Sequence, residues 1–81
     1  MFEFKYKIKN NQLVKRIGEK PIPDDEPVFV FRAKDRKALG ALMSYNAVLD
    51  TLEQKEAVTK AINAFREFQE NNPEKMAEPT P

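Results

Sequence analysis

The first residues of the chain alternate apolar and charged side chains with a period of two. Phe2, Phe4, Tyr6 and Ile8 fall on one face, and Glu3, Lys5, Lys7 and Lys9 fall on the other. This alternation is typical of a half-buried β-strand. Asn10-Asn11 tolerates the positive φ angles of a tight hairpin turn, so residues 12–17 are predicted to return as a second strand.

A third strand is predicted after an irregular segment. Residues 18–26 contain two prolines and an acidic run, which favours a loop that cannot continue a ladder. Val28 to Phe31 is an unbroken apolar run and predicts a buried strand. Asp35 then follows as the expected N-cap of a helix, because its carboxylate can accept from the free N–H groups of the first turn.

From Asp35 onwards the apolar positions follow a helical period. They fall at Ala38, Leu39, Leu42, Met43, Tyr45, Leu49 and Leu52 in a first stretch, and at Val58, Ala61, Ile62, Phe65 and Phe68 in a second. One helix through both stretches would leave its apolar stripe largely uncovered. Thr51-x-x-Gln54 fits a capping box, so we predict a turn near residues 49–52 and a second helix that ends at Asn71-Asn72.

These elements predict an α+β fold, with about three antiparallel strands followed by an antiparallel helical hairpin. Residues 1–72 are expected to form a single domain, since 81 residues provide one small core. Residues 73–81 are polar and proline-rich, and we expect a disordered tail there.

The composition of the chain limits the compartment and the partners that we expect. The chain has no cysteine, no apolar run long enough to span a bilayer and no apolar signal segment near Met1, so we expect a cytoplasmic protein without a membrane partner. Residues 1–37 hold ten Lys or Arg against six acidic residues, and residues 38–81 hold four against seven. This asymmetry is too modest to predict binding to duplex DNA.

Catalysis is poorly supported by the residues present. Histidine and cysteine are both absent, and the single serine, Ser44, lies within a predicted helix with no imidazole base available. Asp24, Asp25 and Glu26 lack the spacing of a calcium loop. We therefore expect a protein that is not an enzyme, with no catalytic residue, no metal site and no cofactor.

The strongest chemical signal is a group of cations around the expected helix start. Arg32, Lys34 and Arg36 lie beside the N-terminus of the first helix, whose dipole and free donors favour an anion. A salt bridge from Arg32 to an acidic residue is an equally open interpretation. Tyr6 or Tyr45 could stack on a base, although Tyr45 also fits a core position.

The third strand also bears on assembly. Phe29, Phe31 and Ala33 would point one way, and Val28, Val30 and Arg32 the other, so both faces are apolar near the centre. A helical hairpin covers one face only. A second copy of the chain is the simplest cover for the other, which predicts a homo-oligomer, either dimer or tetramer; the alternative is that the proline loop folds over it.

Residues 26–35 read Glu-Pro-Val-Phe-Val-Phe-Arg-Ala-Lys-Asp and precede the two predicted helices. In this region the chain resembles small phage-encoded proteins, and among them the anti-CBASS type of immune-evasion protein, an oligomeric sponge for cyclic nucleotide signals. The resemblance implies a non-catalytic protein of the host cytosol that sequesters a phosphate-bearing ligand, with a cyclic dinucleotide favoured. The alternative is an interaction module or inhibitor that binds an acidic or nucleic-acid-related host protein.

Overall fold

A computed structural model describes residues 5–79 of the chain. It contains an antiparallel hairpin of β1 (Tyr6–Lys9) and β2 (Gln12–Lys15), then α1 (Ala38–Ala47), α2 (Leu52–Asn71) and a short 3-10 turn (Pro73–Lys75). The predicted α+β class is confirmed. The strand predictions for Phe2, Glu3 and Phe4, and the tail prediction for residues 80–81, lie outside the described residues.

The hairpin has the predicted turn. Lys9 pairs with Gln12, and the two residues between them have positive φ angles, 52° at Asn10 and 62° at Asn11. Two consecutive left-handed residues form a type I′ turn, whose twist matches that of the strands. The ladder continues past Tyr6, since the Arg16 N–H donates to Lys5 O at 2.7 Å.

The proline loop contributes a short third segment to the hairpin. Val14 and Pro21 form an antiparallel bridge, flanked by hydrogen bonds from Lys15 N to Lys20 O and from Ile22 N to Leu13 O, both 2.9 Å. Pro21 therefore occupies a position whose own N–H is not needed, which is where a sheet tolerates proline. The prediction that residues 18–26 cannot extend a ladder holds for most of the loop but not at this bridge.

The third strand of the prediction is wrong. The structure describes Val28 to Phe31 as irregular, and all four side chains are exposed rather than buried. No ladder joins the apolar run to another segment among residues 5–79: Pro21 occupies the outer edge of β2 at Val14, and β1 pairs with β2 alone in that range. A high β propensity cannot form a strand without a neighbouring strand.

The first helix begins three residues beyond the predicted N-cap. Its N-cap is Lys37, without a side-chain capping bond. Asp35 instead accepts the Lys37 N–H on Oδ1 at 2.7 Å, which is an Asx turn. Its backbone lies in a parallel bridge with Ala77, so Asp35 is held outside the helix. The N-cap prediction for Asp35 is therefore wrong, although its carboxylate still organises the turn that leads into α1.

The capping box at the second helix is confirmed. Thr51 is extended at φ −110° and ψ 153°, and its Oγ1 accepts from the Gln54 N–H at 3.2 Å. Gln54 Oε1 in turn accepts the N–H groups of Asp50 and Thr51, both at 3.3 Å. These bonds satisfy donors that the helix itself cannot, and they fix the break between α1 and α2.

Replacing Thr51 with alanine is expected to lower the free energy of unfolding by about 1 kcal/mol, because the capping acceptor is lost. Thr59→Ala is the matched control: Thr59 is exposed within α2, where alanine is the better helix former. Urea unfolding followed by circular dichroism measures both. Equal stabilities for the two variants would contradict the role of the box.

The segment after α2 packs back on the loop ahead of α1. Ala77 N donates to Lys34 O at 2.9 Å, and Arg36 N donates to Ala77 O at 3.0 Å. The sequence predicts a disordered tail from residue 73, whereas the structure gives residues 73–79 a 3-10 turn and these backbone bonds. The difference arises because the partners are about 40 residues away in the chain, which no local composition reveals.

The core is small and the molecule is open. Of the described residues, only Val14, Ala38 and Ile62 are buried. The radius of gyration is 13.9 Å, against about 11.7 Å for a typical domain of this length. Helices α1 and α2 pack on each other, but no Cα atom of the hairpin lies within 8 Å of a Cα atom of either helix.

Candidate functional site

An apolar groove of about 530 Å³ lies between the hairpin and the helices. The hairpin contributes its inward face, the loop contributes six residues between 22 and 31, and the helices contribute aliphatic and aromatic side chains. Its lining is formed by Tyr6, Ile8, Leu13, Ile22, Glu26, Val28, Phe29, Val30, Phe31, Leu42, Ala61, Ala64 and Phe65. This size is typical of pockets that hold a small molecule or an anchoring side chain.

The most exposed wall of the groove is the segment Val28–Phe31, which we call the VFVF segment. Its four side chains are 55, 82, 67 and 39% exposed in chain order. Phe29 and Phe31 stack edge to face with ring centroids 5.0 Å apart. Contiguous exposed apolar side chains of this size are uncommon on monomers and mark interaction surfaces.

Within residues 5–79, the backbone of the VFVF segment is also unpaired. The Glu26 N–H donates to Pro23 O at 3.1 Å, and the Asp35 N–H donates to Arg32 O at 3.0 Å. Between these two turns, no backbone hydrogen bond forms within residues 5–79. The segment therefore presents free donors and acceptors together with exposed apolar side chains.

The predicted cations are exposed and lie on two sides of the turn at Ala33. Arg32 and Lys34 make no ion pair among the residues that the structure describes. Arg36 donates from Nη2 to Met76 O at 3.4 Å, so it faces the C-terminal segment. It lines a second, more open pocket of about 300 Å³ with Gln69, Pro73 and Met76.

The start of α1 offers fewer free donors than the sequence predicts. The Arg36 N–H is bound by Ala77, and the N–H groups of Lys37 and Ala38 are bound by the side chain and the carbonyl of Asp35. Lys37 Nζ is 3.8 Å from a carboxylate oxygen of Glu78. An anion here would be held mainly by the Arg32 and Lys34 side chains rather than by the helix end.

The two tyrosines do not share a site with the cations. Tyr6 lines the apolar groove, where Arg32, Lys34 and Arg36 are absent from the lining. Tyr45 is exposed on α1. It lies seven residues beyond the first residue of this helix, a distance of about 10 Å along the helix axis. The predicted ligand residues are thus distributed over four places: the groove, the surface of α1, the turn at Ala33 and the second pocket.

The charged face of the hairpin is partly neutralised from within the chain. Glu19 Oε2 lies 2.6 Å from Lys9 Nζ and 3.6 Å from Lys7 Nζ. Glu19 has a positive φ of 54°, a backbone conformation that non-glycine residues seldom adopt. The sequence gives no sign of this cluster, because it depends on how the Gly18 turn brings Glu19 back over β1.

The ion pairs predict a pH dependence. The hydrogen bond from Lys9, with the charges of both lysines, holds the pKa of Glu19 below the usual 4.5. A lowered pKa means that the contribution of Glu19 to stability is present above pH 4.5 and is lost as the pH falls through the lowered pKa. A carboxyl titration by NMR should give a midpoint below 4.5. In Lys9→Ala it should move up towards that value, and an unchanged midpoint would contradict the assignment.

Metal-ligand clusters, membrane-spanning helices and similarity to known proteins also bear on the function. Among residues 5–79, no group of three or more acidic, histidine or cysteine side chains could hold a metal ion. No helix in the same range is both long and apolar enough to cross a bilayer. No protein-family model, no curated protein and no solved structure matches the chain. The resemblance to anti-CBASS proteins therefore stays a hypothesis.

Proposed function

We propose that this protein is a non-catalytic interaction module that binds apolar side chains of another polypeptide at the groove and the VFVF segment. The observation that carries this proposal is the coincidence of four exposed large apolar side chains with an unpaired backbone beside a groove of about 530 Å³. Apolar and aromatic side chains seated in such pockets commonly dominate the energy of protein interfaces.

The chemistry of the groove supports a polypeptide over a phosphate-bearing ligand. Among residues 5–79, Glu26 is the only charged residue in its lining, and a carboxylate repels phosphate. Besides the Glu26 carboxylate, the polar side-chain group in the described lining is the Tyr6 hydroxyl. An apolar anchor from a partner protein fits these surroundings without leaving a buried charge unpaired.

The test compares two single substitutions in affinity capture from host lysate. Phe29→Ser removes an exposed ring of the VFVF segment, and Ile17→Ser is the control, since Ile17 is 91% exposed in the turn that follows β2. We expect the wild type and Ile17→Ser to retain the same stoichiometric partner, and Phe29→Ser to lose it while keeping its circular dichroism spectrum. Retention by both variants would contradict the proposal.

A second candidate function is sequestration of a phosphate-bearing small ligand, with a cyclic dinucleotide favoured, in the host cytosol. The exposed side chains of Arg32 and Lys34 favour it, since both cations flank one turn and neither is paired within the described part of the chain. Guanidinium and ammonium groups both bind phosphate through charged hydrogen bonds. This is the sponge function that the resemblance implies.

Calorimetry with a cyclic dinucleotide at two salt concentrations tests this candidate. We expect binding that weakens as salt increases, and that falls about tenfold or more in Arg32→Ala, because a charged hydrogen bond is lost. Lys60→Ala, an exposed lysine on α2, is the control and should bind as the wild type does. No heat at either salt concentration would contradict sequestration.

A further inference from the structure

We propose that the VFVF segment pairs antiparallel with the same segment of a second copy of this chain, across a twofold axis at Phe29. The inference rests on the proposed function, because the binding surface is the same, and it names the second copy as the occupant. The product is a two-stranded ladder between subunits, so the strand that is missing from the single chain forms on dimerisation.

The backbone permits a ladder of limited length. The turns at Glu26 and Arg32 use the Glu26 N–H and the Arg32 carbonyl within the chain, and the four residues of the VFVF segment between them keep donors and acceptors that are free within residues 5–79. Alternating valine and phenylalanine have among the highest β propensities. Unpaired backbone groups beside such side chains form a template for another strand. The ladder is therefore short and ends at the two turns.

Proline fixes which pairs are hydrogen bonded. With the axis at Phe29, Pro27 lies opposite the partner's Phe31, and Val28 lies opposite the partner's Val30. Pro27 has no N–H, so its pair must be of the non-hydrogen-bonded kind. Pair types alternate along an antiparallel ladder, so Phe29 faces the partner's Phe29 in a close non-hydrogen-bonded pair, while the valines exchange N–H···O bonds. Pro21 occupies the same kind of position within the chain.

Charge complementarity selects the antiparallel direction and this register. Glu26 lies opposite the partner's Arg32, and by symmetry Arg32 lies opposite the partner's Glu26. The acidic run 24–26 of each copy is also brought beside the cations that follow the VFVF segment of the other. A parallel pairing in register would place like charges together, which is unfavourable. A slip by one residue would move Glu26 opposite the partner's Ala33.

The exposed area is sufficient for such an interface. The chain exposes 6727 Å², about 1,700 Å² more than the surface of a typical monomer of this length. A standard protein interface buries about 800 Å² on each partner. With three buried residues in the described part of the chain, the single copy therefore carries surplus surface of the size that a twofold contact needs.

The first test measures assembly by sedimentation velocity over a range of concentrations. Val30→Asp places a carboxylate opposite the partner's Val28 in each half of the ladder, with no opposite charge to pair it, and Val48→Asp is the control, because Val30 and Val48 are 67% and 71% exposed in the single chain. We expect the wild type and Val48→Asp to form dimers and Val30→Asp to sediment as a monomer. A wild type that is still monomeric at about 1 mM, which corresponds to binding weaker than about 4 kcal/mol, overturns the proposal. A dimer that Val30→Asp leaves intact also overturns it.

The second test reverses charges between subunits. Glu26→Arg alone and Arg32→Glu alone should each raise the dissociation constant at least tenfold, because each places like charges opposite one another at both ends of the ladder. An equal mixture of the two variants should recover dimers, since every cross pair then joins opposite charges. A mixture that stays monomeric overturns the register.

These outcomes separate the two proposals. If the wild type is monomeric and Phe29→Ser still loses a captured partner, self-pairing is wrong and the interaction module stands with another protein as its occupant. If dimers form and respond to Val30→Asp while no other protein is captured, the second copy is the partner of this surface.

Discussion

Replacing Ile62 with alanine is expected to lower the free energy of unfolding by about 2–5 kcal/mol, the usual range for a large core residue. Ile62 is 7% exposed on α2 and is one of three buried residues in the described part of the chain. The other two are smaller, so Ile62 is the largest of them. Domains of this length have total stabilities of about 4–12 kcal/mol, and the variant should be close to unfolding at 37 °C.

The control for this prediction is Ile17→Ala. It makes the same chemical change at a side chain that is 91% exposed, where a shift within about 0.5 kcal/mol is expected. Urea denaturation with a common m-value gives both free energies. A loss at Ile17 equal to the loss at Ile62 would show that the core is not centred where the structure places it.

Alanine at the two glycines should have opposite effects. Gly18 has a φ of +82°, which strains any residue with a β-carbon, so Gly18→Ala is expected to destabilise the protein by about 1–2 kcal/mol. Gly40 lies within α1, and an added β-carbon there meets no atom within 4 Å. Gly40→Ala should therefore stabilise the protein by about 0.5–1 kcal/mol, because alanine is the better helix former.

Thermal unfolding measures this contrast directly. About 1 kcal/mol corresponds to a shift of about 4–8 °C for a domain of this length, so the two variants should melt on opposite sides of the wild type. The two glycines have open space around the added carbon, which leaves backbone conformation as the difference between them. Shifts of the same sign would contradict the left-handed turn at Gly18.

The elements that could be predicted from the sequence are those with local causes. The Asn10-Asn11 turn follows from residues that accept positive φ, and the start of α2 follows from the reciprocal bonds of Thr51 and Gln54. In each case the residues that fix the structure lie within four positions of one another. Neither element depends on the rest of the fold.

The elements that the sequence analysis missed depend on distant partners. The apolar run at Val28–Phe31 has the residue types of a strand, but among residues 5–79 it pairs with neither strand of the hairpin, and Pro21 occupies the edge of β2. Asp35 is of a residue type that is favoured at N-caps. Its backbone instead pairs with Ala77, which follows α2 in the chain. Strand and capping propensities give the structures that a segment can adopt. The neighbouring backbone segments decide which of these structures forms.

The candidate site shows the same division. The cations at Arg32, Lys34 and Arg36 are evident from the sequence, and the structure leaves Arg32 and Lys34 exposed. The groove is not evident, because its walls come from the hairpin, the loop and both helices. The pairing of Glu19 with Lys7 and Lys9 is equally hidden, since it depends on the path of the Gly18 turn.

Amide hydrogen exchange in the VFVF segment, measured at low and high protein concentration, tests most directly whether this segment is the binding surface and pairs with itself. The proposed register predicts that the Val28 and Val30 N–H groups become protected as the concentration rises, because they donate to the second copy. The Phe29 and Phe31 N–H groups should exchange fast at both concentrations, because they point away from it. Fast exchange of all four amides at every concentration would contradict the account.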